Sequence, residues 1–526
     1  MIAGLTAAKL GFAAPTNWLL GGAFGLALGA AVLAGRLPFT SSALLLSAMF
    51  LAGAGSYQLH RPEMGAWGHL PPREARMTVS IERGFEKSDR TQFSALGTIQ
   101  DAPAYRELIG QRVYVSAVLS KSERGPLRSE VVVVAGVLAA VPWAPAADTF
   151  EGYLANAGVN FRLTRALIVS HERAPSAYSR FRAAAAARFA RILGEGVQEK
   201  RPHLVGVYRA LMLGRKTELT PEQATVFRES GTMHVFTISG LHIGVIALTL
   251  QGLLSLSRMP TPAKFVLGLS ALWFYVDITG LVPSAVRAFS TVALIEVAWV
   301  FRVPRNAISA LVTSALIVVL VDPLEVFGAG FEMSYGIVSA LLLLGLPLDA
   351  CWQKTLKLHR HLPPATWTRR QKAADWLWRR LVTAAAISCA ASLVGAITGL
   401  TFFKLFSPGA LLINLWLIPS AMGVLMMGLV SLLCGLAGFT GGSLLANHGA
   451  VLLLWGIEAG VRQFAHLPGV WFAATFKYPW IGVVALVVLL AAIGYGYAAH
   501  WRGWNRGFWA PFAIVGLVFC FGVTFL

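Results

Sequence analysis

Apolar runs close to twenty residues long recur along most of this chain, but not between residues 78 and 172. About 20 apolar residues are needed to cross ~30 Å of hydrocarbon as a helix. The pattern therefore predicts membrane-spanning helices near 16–35, 39–57, 232–257, 263–281, 284–301, 306–321 and 331–349. Further spans are predicted near 382–402, 408–435, 444–460, 479–498 and 508–525. The run 408–435 is long for one helix and reads either as a tilted helix or as two half-helices broken near Pro419. The first run is followed at once by a second, with no small-residue cleavage site, so it reads as retained and not as a signal peptide.

Where the long runs stop, shorter β-rich runs replace them: Thr78–Ile81, Phe93–Ile99, Arg112–Leu119, Glu130–Ala139 and Asn160–Val169. Turn signals such as Asp101-Ala102-Pro103, Gly110 and Arg124-Gly125-Pro126 separate them. The run from Arg112 starts with the period-two alternation of a half-buried strand. Five short strands fit a small closed barrel, of which the OB fold is one option. The fold class that follows is an all-α polytopic membrane protein of about 11–12 transmembrane helices, some broken, with a small exoplasmic OB-like β-barrel domain. Its expected division is a transmembrane hairpin (1–57), the barrel domain (58–175), amphipathic interfacial and linker helices (176–230) and a transmembrane core (231–526).

Between barrel and core, residues 178–201 read as a basic helix, with Phe181, Ala185, Phe189 and Ile192 on one face. Arg182, Arg188 and Arg191 can snorkel to headgroups, so the helix is expected to lie on the outer leaflet. Thr220-Pro221-Glu222-Gln223 is a strong helix start: Thr220 caps, Pro221 suits the first position and Gln223 completes a capping box. Gly231 can end that helix.

The segment Gly231–Ala247 is apolar enough to enter a membrane, yet it carries His234, Thr237, Ser239, Gly240 and His242. Polar groups at membrane depth usually face a partner or a water-filled path, and a broken helix there needs protein or a cavity to satisfy its backbone. The two histidines would sit about 80° apart on an unbroken helix. They lack the HExxH spacing and the acidic residue of a zinc helix, so polar lining or interhelical hydrogen bonding is the expectation and no metal or cofactor is assigned.

Composition changes this picture little. Hydrophobic residues make up 56% and charged residues 13%, well below the ~25% charged of a soluble domain. The net charge of +19 is mostly topological: residues 58–230 hold a basic surplus of 7, and the membrane parts a surplus of 12. The latter sits largely in short loops on one side of the span order, around Arg36, Arg258, Arg302–Arg305, Lys354–Arg380 and Arg502–Arg506. Lys/Arg-rich short loops stay in the cytoplasm, which places 58–230 outside, with Lys404, Arg462 and Lys477 running weakly against the rule. Cys351, Cys389, Cys434 and Cys520 all lie in or beside spans and carry no CxxC spacing, so neither a zinc site nor a disulfide in the outer domain follows.

Two further polar positions fall at membrane depth. Arg287 lies about one turn into a predicted span, where it needs a partner or water; Asp277, Glu296 and Glu332 are the candidate ion-pair partners. Asn414 stands in a deep apolar run, where interhelical hydrogen bonding is the default.

The run Ala210–Ala247, with its Gly-Thr-x-His-x-x-x-Ile-Ser-Gly-Leu-His-Ile pattern, closely resembles the central motif of the ComEC family of bacterial competence proteins. Tyr275–Leu343 and Phe402–Gly423 resemble that family as well, although Glu332 stands where the family often has Gln. The resemblance implies a channel passing single-stranded DNA across the bacterial cytoplasmic (inner) membrane in natural transformation. It implies His234, Thr237, Ser239, Gly240, His242, Arg287 and Asn414 along the path. Arg112, Tyr114, Arg162 and Arg165 of the barrel, with Arg182, Arg188 and Arg191, are the candidate outer DNA contacts. The implied partners are an exoplasmic DNA receptor, a cytoplasmic helicase and a separate nuclease. The family's metallo-β-lactamase-like nuclease is not expected here, since His359-Arg360-His361 lacks the acidic partner of an HxHxDH cluster. Gly214-Arg215-Lys216-Thr217 lacks the first glycine of a nucleotide-binding loop, so no motor is expected in this chain. The competing classes are a secondary transporter, which inverted repeats would favour and none is evident, and an intramembrane enzyme, for which no acid, nucleophile or metal set is evident.

Overall fold

The computed structural model describes the chain except residues 13, 63–66, 68–69, 86–90, 120–123, 144, 147, 305, 359–365 and 503–507. Arg305, Arg506 and the His359–His361 triplet therefore lie outside the described residues. The chain is mostly helical and divides into two compact units, residues 1–183 with 315–328, and residues 184–314 with 329–526.

The first unit opens with α1 (Ile2–Lys9), α2 (Thr16–Leu33) and α3 (Pro38–His60). The barrel follows: β1 (Arg73–Phe85), β2 (Gln92–Asp101), β3 (Arg112–Val118), β4 (Val131–Ala140), α4 (Phe150–Asn156) and β5 (Phe161–Arg173). All five expected strands are present, and they close in the order β1-β2-β3-β5-β4, with β3 and β5 parallel and the other neighbours antiparallel. Alternation explains the closure: Val79, Ile81, Ile99, Val113, Val115, Leu138 and Leu163 point inward and are buried. Arg61, at the C-cap of α3, ties this helix to the barrel. It is 1% exposed, reaches Asn160 Oδ1 (3.3 Å) and the Pro142 carbonyl (2.7 Å), and also donates to the Trp143 carbonyl.

The second unit takes most of α5 (Ala177–Gly194), then α6 (Pro202–Leu213), α7 (Pro221–Glu229), α8 (Gly240–Ser255), α9 (Thr261–Ile278), α10 (Pro283–Val300) and the start of α11 (Ala307–Val321). It continues with α12 (Ala329–Ala340), a π turn (Leu341–Gly345), α13 (Leu346–Thr355), α14 (Arg369–Phe403), β6 (Leu405–Phe406), α15 (Ala410–Leu436) and α16 (Thr440–Ala465). It closes with β7 (Phe472–Phe476), α17 (Pro479–Ala498), α18 (Trp509–Gly522) and β8 (Val523–Phe525). Every predicted span contains a helix. Among the described residues, eight helical runs are long and apolar enough to cross a membrane: α2, α3, α10, the continuous run 329–355, α14, α15, α16 and α17. The helices α8, α11 and α18 are apolar but shorter.

Of the two readings of 408–435, the structure takes the single helix, with Pro419 inside it. Two differences from the sequence pattern have plain causes. The last apolar run stops being helical at Gly522, because Val523–Phe525 pair with β7 in a three-stranded sheet with β6. The basic helix α5 does not present its whole apolar face outward. Phe181 is exposed, but Ala190, Ile192 and Leu193 are buried in a core centred on α6. Almost all of α6 is buried, against α15, α16 and the 3₁₀ turn Met233–Phe236.

Candidate nucleic-acid interface

The polar segment of the core is assembled from local signals. Thr220 caps α7 and Gln223 returns the bond, giving the expected capping box. Gly231 follows with φ of 71°; a side chain there would be strained, and its Cβ would fall 2.9 Å from Ser407 Cβ. A 3₁₀ turn over Met233–Phe236 leads into an extended link, Thr237–Ser239, and α8 starts only at Gly240. The expected pathway segment is thus a helix start approached by non-helical backbone, and His234 and His242 do not share one helix face.

Each residue of the link is held from a different direction. Lys216 donates to the Thr237 hydroxyl. Ser284, at the start of α10, donates to the Ile238 carbonyl at 2.6 Å. His242, third in α8, fills the position that Glu or Gln takes in a capping box: its Nδ1 accepts from the Ser239 N–H at 3.3 Å and lies 2.9 Å from Ser239 Oγ. With Nδ1 accepting, the neutral ring carries its proton on Nε2. That nitrogen is buried with no hydrogen bond of ordinary geometry, on a side chain only 2% exposed. His234 is exposed, with Nδ1 2.9 Å from the Gly231 carbonyl.

Arg287 sits about one turn into α10 and is 3% exposed. Its Nη2 donates to the Gly330 carbonyl at 2.7 Å, and its guanidinium lies 6.0 Å from the Tyr335 ring centre. A Cβ at Gly330 would stand 3.1 Å from Nη2, so glycine leaves the room for this approach. Asp277 and Glu332 lie on α9 and α12, both packed on α10. Glu296 is about 13 Å further along α10 than Arg287 and accepts from Gln251 of α8, so it is not positioned as the Arg287 partner. Asn414, one turn into α15, keeps Oδ1 buried without a hydrogen bond.

Two polar clusters escaped the sequence reading. Asn447, fully buried on α16, donates to the Ile192 (2.7 Å) and Glu195 (3.1 Å) carbonyls. Glu458, also on α16, accepts from Gln223 (3.1 Å) and pairs with Arg462 (3.4 Å), which also holds Glu222. Both Asn447 and Glu458 stand inside a predicted span, so the expense of polar side chains at membrane depth was the available signal.

On the barrel, the strand aromatics are structural. Tyr114 is 9% exposed beneath Phe150 (ring centres 5.1 Å), Phe93 is buried and Phe161 is fully buried. Tyr114 therefore offers no open face for a base. The exposed rings are Phe150 and Tyr153, one turn apart on α4 and stacked at 6.1 Å, a pair the strand pattern did not reveal. Arg83 lies over Phe85 at 5.4 Å, and Phe85 abuts Tyr153. Of the candidate cations, Arg112 faces Glu82 (3.5 Å) and Arg162 faces Glu151 (2.8 Å). Arg165 is exposed, has φ of 51°, and lines a 280 Å³ cavity with Arg162 and Thr164. Arg182, Arg188 and Arg191 all lie on α5.

Eight membrane-length helices among the described residues, a closed five-stranded barrel and polar residues at helix starts define a multi-pass membrane protein. The family model described as "Competence protein" matches residues 211–499, more than half of the chain, and the chain belongs to the ComEC family of competence proteins. It is similar to "ComE operon protein 3" of Bacillus subtilis (strain 168), 31% identical over 144 residues, covering 27% of this chain and 18% of that protein. It is similar to "Competence protein ComA" of Neisseria gonorrhoeae, 35% identical over 149 residues, 26% of this chain and 21% of that protein. A third similar protein is "Uncharacterized protein YcaI" of Escherichia coli (strain K12), 24% identical over 143 residues, 26% of this chain and 19% of that protein. The aligned segments thus span only about a fifth of the length of these curated relatives. No solved structure matches the chain.

Proposed function

We infer that this protein is a channel that passes single-stranded DNA across the cytoplasmic membrane during natural transformation. The observation that carries this is the family match over residues 211–499, which contains the held link Thr237–Ser239, His242, Arg287 and Asn414. Asp277 and Glu332 neutralise Arg287 at rest, and a passing phosphate competes with them for the guanidinium. The barrel faces outward, a side supported by the basic short loops of the core. It is an OB-like module that meets the strand with Phe150 and Tyr153 as stacking platforms and Arg165 as a phosphate contact. The chain acts without chemistry of its own on the DNA, alongside an outer receptor, a cytoplasmic helicase and a separate nuclease.

The test follows labelled DNA into the cytoplasm of host cells with and without this gene, scoring surface binding and degradation separately. Surface DNA that persists without reaching the cytoplasm in the deletion strain supports the channel. Unchanged import, in a host without a second family member, removes it.

A further inference from the structure

A second basic site lies away from the polar link. The last turns of α5, the loop after it and one residue of α6 enclose a cavity of about 600 Å³ lined by Arg188, Arg191, Lys200 and Arg209 with Glu195 and Glu199. Arg209 is committed: its Nε donates to the Ala190 carbonyl at 2.8 Å, and Nη1 is 3.3 Å from Glu218. Among the described residues, Arg188, Arg191 and Lys200 make no ion pair, although two carboxylates share the cavity. Cations gathered in one concave site repel each other unless an anion joins them.

The walls are anchored at several points. Ile192 and Val197 are anchored in the core, and Asn447 holds the Ile192 and Glu195 carbonyls. Gly196 lies so close to α16 that a Cβ would fall 2.4 Å from Leu444 Cδ2. The cavity therefore adjoins the opening turns of a helix long and apolar enough to cross a membrane. That helix also carries an exposed apolar flank, with Leu445 78% and Leu452 65% exposed. A free anion needs only the basic cup, whereas an amphiphile fills both cup and flank. Basic pockets among membrane helices are suited to anionic headgroups. No lining residue is aromatic, so a nucleic-acid base finds no stacking platform here.

We propose that this cavity binds the phosphate headgroup of an anionic phospholipid, its acyl chains lying along α16. Arg188 and Arg191 are also candidate outer DNA contacts, but the lipid proposal does not depend on the DNA reading.

The test uses the full chain in nanodiscs of phosphatidylcholine doped with phosphatidylglycerol, with retained lipid measured by native mass spectrometry. Phosphatidylglycerol should be enriched, and Arg188→Gln/Arg191→Gln/Lys200→Gln should lower that enrichment by about tenfold or more. If that variant does not elute as a folded species, Glu199→Gln serves instead, and enrichment should rise. No preference between the two lipids, or enrichment unchanged in whichever variant is read, overturns the proposal. Loss of the bound lipid to millimolar inorganic phosphate assigns the cup to a free anion and also overturns it. Displacement by an oligothymidine moves the cavity to the DNA path, with the same consequence.

Discussion

Ser239 and His242 close the start of α8 on each other: the imidazole Nδ1 accepts from the Ser239 N–H at 3.3 Å and lies 2.9 Å from its hydroxyl. The histidine thus has a capping role that glutamine can fill and alanine cannot. Losing such a cap costs about 1 kcal/mol. His242→Ala should lower the thermal midpoint of the purified protein, and His242→Gln should recover most of it. If His242→Gln is as stable as the wild type but imports no DNA, the imidazole ring itself is needed for passage. If import also recovers, the residue serves only to start the helix.

The approach of Arg287 to Gly330 gives a second prediction. Removing the guanidinium leaves the Gly330 carbonyl without its donor, at a cost of about 1–3 kcal/mol. Arg287→Ala should abolish DNA import while surface binding persists. Gly330→Ala, which sets a methyl 3.1 Å from Nη2, should displace the arginine and reduce import with a smaller loss of stability. Normal import by stably folded Arg287→Ala protein would remove Arg287 from the path.

Asn447 joins α16 to the end of α5 through two carbonyls. Asn447→Leu removes the side-chain donor from both carbonyls and leaves Ile192 with the Glu195 N–H alone (3.2 Å), and a loss of about 1–3 kcal/mol is expected. Thermal unfolding in detergent reads this directly; a variant as stable as the wild type would show that water replaces the amide.

On the barrel, Phe150→Ala and Tyr153→Ala should each weaken single-stranded DNA binding by about 1–3 kcal/mol, whereas Tyr114→Phe should leave it unchanged. Binding isotherms of the full chain across a salt series test this.

The same series separates the arginines. Arg165→Ala should reduce the magnitude of the logarithmic salt slope by about 0.7, the value for one contact on a single strand. Arg162→Ala should change it less, because Glu151 already holds that charge at 2.8 Å. Equal slopes for the two variants would place neither arginine on the phosphate backbone.

Much of the architecture was legible from local rules. A membrane helix needs a long apolar run, and each predicted run contains a helix. The barrel strands declared themselves by alternation and turn residues, and the α7 capping box by its four-residue signature. Arg287 stood out because a cation in an apolar run is rarely placed there without a role.

What the sequence by itself determined is which segments are apolar, where strands alternate and where backbones stop; those follow from short-range periodicity and the solvation of single residues. Only the tertiary structure decided which polar groups meet. The pairing of Arg287 with a carbonyl 43 residues away, and of Asn447 with carbonyls more than 250 positions earlier, depends on helix packing that no local pattern encodes. The same holds for Tyr114, whose aromatic character was plain in the sequence. Its burial beneath Phe150 came only when α4 folded against the closed barrel.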